Sequence, residues 1–160
     1  MGQDDPAALR PREGDWLVKV GDSIKSPLTP NDIRPGAPPI MAWAMDAKTR
    51  TVRAGSRLNQ LLLVRLDAGK LSPDTTSRAV DGVVAYTAIC THTGCEVDDW
   101  LGDEQVLHCL CHGSKFDPGD SARVVEGVAP RPLPALPLRL DAGRLRIAGP
   151  FTARVGFESA

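Results

Sequence analysis

Cys90-Thr91-His92-Thr93-Gly94-Cys95 and Cys109-Leu110-Cys111-His112-Gly113-Ser114 are the two stretches on which the reading of this chain turns. Each supplies one cysteine and one histidine at ligand spacing, C-x-H in the first and C-x-x-H in the second. Between His92 and Cys109 lie 16 residues. Each stretch also holds a second cysteine, Cys95 or Cys111, close to its ligand pair. Two thiolates and two imidazoles in this arrangement suit a [2Fe–2S] cluster in which two histidines replace two cysteines on one iron.

Two blander readings compete. Zinc sites also use two cysteines and two histidines, but they usually pair C-x2–4-C with H-x3–5-H, not one cysteine and one histidine per loop. Four cysteines could instead form two structural disulfides, which leaves both Cys/His spacings as coincidence. A thioredoxin-like pair is a poor fit, because no C-x-x-C occurs.

From Val83 to Pro134 the chain resembles the Rieske iron–sulfur proteins, in particular the disulfide-containing branch of cytochrome bc and bf complexes and of the arsenite oxidase small subunit. The residues that carry the resemblance are Val84-Ala85-Tyr86, both cysteine–histidine loops, and Gly127-Val128-Ala129-Pro130. The likeness fades before Gly82. The resemblance implies that Cys90 and Cys109 bind one iron and that His92 and His112 bind the other. It also implies that Cys95 and Cys111 form the disulfide joining the two loops. All four cysteines are then used. Ser114 matches the family serine whose hydroxyl tunes the cluster. Phe116 stands where quinol-oxidising members commonly carry a tyrosine that bonds a ligand sulfur. Without that hydroxyl, a lowered potential is expected within the Rieske range of about −150 to +300 mV. Gly127-Val128-Ala129-Pro130 resembles the family's proline-rich cover loop, with Val128 where proline is frequent. The family also leads us to expect a cluster potential that falls as pH rises, because metal charge acidifies bound imidazoles.

His108 is the third and last histidine. It alternates with its neighbours as in a strand and reads as structural. Rieske-type oxygenases need a second iron held by two histidines and a carboxylate. Two cluster ligands leave one histidine, so this chain cannot supply that site alone.

Of 160 residues, 7 are aromatic and 29 are Gly or Pro, which suits a loop-rich β protein more than a helical one. Net charge is −1, so nothing electrostatic argues for nucleic acid. No apolar run approaches the ~20 residues that span a bilayer. A disulfide favours a periplasmic or other extracytoplasmic site. The polar opening Met1-Gly2-Gln3-Asp4-Asp5-Pro6 is unlike a signal peptide. We therefore expect either a removed signal or membrane anchor, or export together with a partner.

Residues 1–14 read as a flexible lead and 15–160 as one all-β Rieske-type domain. Its antiparallel base carries an inserted cluster-binding subdomain at about 88–134. Strands are expected at residues 15–20, 40–45, 58–66, 82–89 and 106–110. Leu136-to-Leu140 and Arg144-to-Ile147 read as a hairpin around Asp141-Ala142-Gly143. Residues 56–60 suit one short turn, no amphipathic helix stands out, and Trp100 reads as core. The expected function is one-electron transfer as a subunit of an extracytoplasmic oxidoreductase, with no complete substrate site in this chain. Its partners would be a catalytic subunit or a cytochrome c. A quinol-oxidising bc-type subunit and a free-standing soluble carrier are the alternatives, quinol being a candidate partner of the former.

Overall fold

The computed structural model describes residues 5–156. Eleven strands form two antiparallel sheets, as the sequence leads one to expect of this all-β chain. β1 (Trp16–Lys19), β2 (Ile40–Met45), β3 (Leu61–Arg65), β4 (Val83–Thr87), β9 (Ala135–Leu136), β10 (Leu138–Asp141) and β11 (Arg144–Ile147) make the larger sheet, in the order β10-β11-β1-β2-β3-β4-β9. β5 (Asp99–Leu101), β6 (Val106–His108), β7 (Lys115–Asp117) and β8 (Arg123–Glu126) make the smaller sheet, in sequential order, between β4 and β9 in the chain.

Pro137 nearly closes the larger sheet. It alone separates β9, at one edge, from β10, at the other, so the two edges are adjacent in the chain. Proline has no N–H to give a ladder, and here the chain changes partner. Ala135 and Leu136 pair with β4, whereas Leu138 pairs with Ile147 of β11. The hairpin expected from Leu136 is thus corrected to start at Leu138.

The apolar runs of β3 and β4 are continuous because both strands are buried on both faces. Successive side chains of a strand point to opposite sides. Leu61, Leu63, Val83 and Ala85 enter one core with Leu17, Ile33, Leu145 and Ile147. Leu62, Val64, Val84 and Tyr86 enter a second core with Cys90, Leu107, Cys109 and Phe116. Burying one such aliphatic side chain contributes roughly 1.5–3 kcal/mol. The second core fastens the small sheet, and with it both cysteine–histidine loops, to the large one.

Two segments depart from expectation. Pro73–Arg78 is a short helix, α1, in which the Ser72 side chain accepts from the Thr75 N–H, Pro73 opens the first turn and Asp74 follows. These are good helix-start residues. The strand expected at 58–66 begins at Leu61, because Arg57–Asn59 is a 3₁₀ turn capped by Ser56. Of the lead, residues 1–4 lie outside the described residues. Ala7 accepts from the Gly55 N–H, and Arg10 donates to Asn59 Oδ1 at 2.7 Å. The chain from Asp5 is therefore seated on the sheet.

Arg53 is fully buried beneath this contact and forks onto Asp15 at 2.8 and 3.0 Å, with Asp46 at 3.1 Å. A buried guanidinium is tolerated when paired in this bidentate way. Backbone N–H groups of Thr49 and Lys48 hold the Asp46 carboxyl down at about 2, with help from Arg53. Among the described residues no helix is long and apolar enough to cross a membrane.

Candidate metal centre

β4 delivers the first cysteine–histidine loop and β6 the second, and the two loops are built alike. The Cys90 N–H donates to the Cys95 carbonyl at 2.7 Å, and the Gly94 N–H returns to the Cys90 carbonyl at 3.1 Å. In the second loop the Cys109 N–H donates to the Ser114 carbonyl at 2.9 Å, and the Gly113 N–H to the Cys109 carbonyl at 2.9 Å. Each is a six-residue turn that opens on a cysteine and passes through glycine at its fifth position. Gly94 and Gly113 have φ of +79° and +78°, a region that costs a side chain energy and glycine almost none. The repeated turn places one thiol inward at the start of each loop, while the imidazole stands at the third position in the first loop and the fourth in the second.

Cys90 and Cys109 are free thiols, each 1% exposed, and they stand beside one another in the second core. Burial pushes the Cys90 thiol above its ordinary value, and the neighbouring Cys109 adds to the effect. The His92 N–H points at Cys90 Sγ, 3.4 Å away, and favours its thiolate. His92 is half-buried and His112 exposed, and their Nδ1 atoms face each other at 3.2 Å. Two imidazole nitrogens bound to one tetrahedral metal at about 2.0–2.1 Å lie about 3.4 Å apart. The pair is thus spaced as joint ligands of one metal would be.

Cys95 and Cys111 form a disulfide, with Cα atoms 6.5 Å apart, that ties the loops together at their rims. A third segment closes the site from the side. Ser114 Oγ accepts from the Ala129 N–H at 3.1 Å, and the Thr91 hydroxyl donates to the Arg131 carbonyl at 2.6 Å. The Gly127–Arg131 stretch therefore bridges both loops. Gly127 lies so close to Ser114 that a Cβ there would stand 2.5 Å from Ser114 Cα. Phe116 is fully buried on β7, where it pairs with Leu107. His108 Nδ1 lies 2.8 Å from Asp99 Oδ2 across the β5–β6 pair. Trp100 is half-buried against the second core.

The donor set fits a binuclear cluster. The four candidate donors stand as a thiol pair at the buried end and an imidazole pair at the open end. The bonds from Thr91 to Arg131 and from the Ala129 N–H to Ser114, which secure this geometry, lie within the quoted stretches or beside them, but the sequence predicts neither pairing.

Comparison with known proteins identifies the family. Residues 42–137 match the Rieske [2Fe-2S] domain family. The chain is 32% identical over 157 residues to the cytochrome bc1 complex Rieske iron-sulfur subunit of Streptomyces lividans, covering 90% of this chain and 85% of that one. It is 43% identical over 82 residues to a putative respiratory nitrate reductase subunit Rieske of Haloferax mediterranei, covering 51% of this chain and 36% of that one. The soluble domain of Rieske protein II from Sulfolobus acidocaldarius superposes with a TM-score of 0.49 at 25% identity, covering 61% of this chain and 64% of that one. The chain belongs to the Rieske [2Fe-2S] family, and its cofactor is a [2Fe-2S] cluster.

Proposed function

We propose that this chain passes single electrons through its cluster, with Cys90 and Cys109 on one iron and His92 and His112 on the other. The observation that carries the proposal is the opposed burial of the two donor pairs, thiols in the core and imidazoles at the surface. When bound, the cluster supplies a one-electron couple raised by imidazole ligation to about −150 to +300 mV. The chain does the rest. The buried thiols and the second core exclude water from one end. The imidazoles open the other end to a partner. Ser114, whose oxygen already accepts from Ala129, keeps its O–H free to donate toward the cluster. Phe116 offers no hydroxyl, and the potential is accordingly lowered within the family range.

Residues 88–134 act as the cluster-binding subdomain, and the larger sheet is its rigid mount. We place the domain in an extracytoplasmic redox assembly, membrane-anchored in its full-length form or held by a membrane partner. A disulfide beside the site persists in an oxidising compartment. The partner would be a catalytic oxidoreductase subunit or a cytochrome c. The Streptomyces bc1 relative, matched over most of its length, favours a second reading in which the assembly oxidises quinol.

Isolation of the full-length protein from its native membranes, with iron and acid-labile sulfide determined on the product, tests the proposal. Two iron and two sulfide per chain, with a co-purifying redox subunit, are expected. A protein without labile sulfide contradicts the cluster. Co-purification of a cytochrome b would select the quinol reading.

A further inference from the structure

We propose that Arg57 is a positioning residue for the first cluster loop and that its cation holds the cluster potential up. Arg57 lies in the larger sheet's 3₁₀ turn, 33 residues before the first cysteine of the loop. Its Nη2 donates to the Gly94 carbonyl at 2.8 Å. Gly94 sits between His92 and Cys95, at the left-handed corner of the turn. Gln60, at the end of the same 3₁₀ turn, accepts from the Ala88 N–H at 2.9 Å, just before the loop begins. One short segment of the larger sheet thus grips the loop at its root and at its tip.

Arg57 itself is exposed. Arginines elsewhere divide between carbonyl and carboxylate partners: half-buried Arg65 donates to the backbone carbonyls of Asp81 and Pro30. Arg53 holds Asp15 and Asp46, and Arg146 holds Asp141. Among the described residues Arg57 has no carboxylate within ion-pair distance, so its charge is not cancelled by direct contact. It lines an open cleft with Thr93, Cys95, Leu110 and Cys111, over the disulfide, and Thr93 and Cys111 are the chain neighbours of His92 and His112. Glu96 and Asp98 line the same cleft and offset part of the charge. A cation at this place favours the state with the extra electron. The carbonyl bond keeps it there, and charge and hydrogen bonding around a cluster set its potential.

The inference rests on the ligand assignment above. Redox titration of the holoprotein followed by electron paramagnetic resonance tests the two separately. Arg57→Ala is expected to lower the midpoint potential and to shift the g-values of the reduced cluster. Arg57→Lys keeps the charge and should restore most of the midpoint. Glu96→Gln should move it upward, which gives a second test if Arg57→Ala fails to fold. Unchanged midpoint and g-values in Arg57→Ala, or equal shifts in Arg57→Ala and Arg57→Lys, would overturn the proposal. So would a downward shift in Glu96→Gln. Absence of a Rieske-type signal from the unaltered protein would instead reject the ligand assignment.

Discussion

Ser114 and Phe116 sit two residues apart and, on the proposed function, bear on the cluster potential in opposite senses. The Ser114 side chain is 1% exposed, and its oxygen is already engaged by the Ala129 N–H. An O–H in that position donates to a cluster atom or is left unpaired, and unpaired buried donors are costly. Phe116 fills the core and donates nothing. Ser114→Ala should therefore lower the midpoint potential, and Phe116→Tyr should raise it, both read by redox titration against the unaltered protein. A Phe116→Tyr protein with its midpoint unmoved would remove the hydroxyl argument. The reading of these residues came from their place in the motif, since a serine after glycine and a phenylalanine in a strand are otherwise ordinary. Arg57 had no such place. Its contact with Gly94 spans 37 residues of chain and depends on a turn whose direction no local pattern reports.

The elements divide by how much of their burial is visible in local order. Leu61-Leu62-Leu63-Val64 and Val83-Val84-Ala85-Tyr86 were readable as strands because both faces are buried and every residue is apolar. β5 and β7 have three residues each, and β8, Arg123-Val124-Val125-Glu126, sets its two apolar residues side by side, so no alternation stands out. β7 also carries an irregularity between Lys115 and Phe116 that breaks its period. α1 was legible and overlooked, since Ser72-Pro73-Asp74 has the cap, the proline and the acid of a helix start. Pro137 likewise marked the place where one apparent strand divides into β9 and β10. The two cluster loops were legible in composition but not in their shared turn, which depends on backbone hydrogen bonds that spacing does not display. The disulfide joins these loops across 15 intervening residues, a constraint worth roughly 3 kcal/mol in the chain-entropy model. A Cys95→Ser, Cys111→Ser double variant should unfold at a lower temperature and lose its visible cluster absorbance faster under mild denaturant. An unchanged rate of bleaching would show that the cover segment and second core suffice without the bridge.

At the scale of the whole molecule, the nearly closed larger sheet and the small sheet share β3 and β4 as a common wall. One face of those strands fills the first core. The other receives Cys90, Cys109 and Phe116. On the proposed assignment Cys90 and Cys109 would hold the cluster against the most deeply buried part of the protein. His92 and His112 would hold its other end at the surface, in loops near which Leu110 and Val128 are exposed at 66% and 59%. The proposed direction of electron entry and exit rests on one assignment: two imidazoles on the outer iron. Pulsed electron paramagnetic resonance of the dithionite-reduced protein reads that assignment directly. Two strongly coupled nitrogens are predicted, one of them lost or altered in each of His92→Cys and His112→Cys. A reduced cluster with no strongly coupled nitrogen would contradict the account.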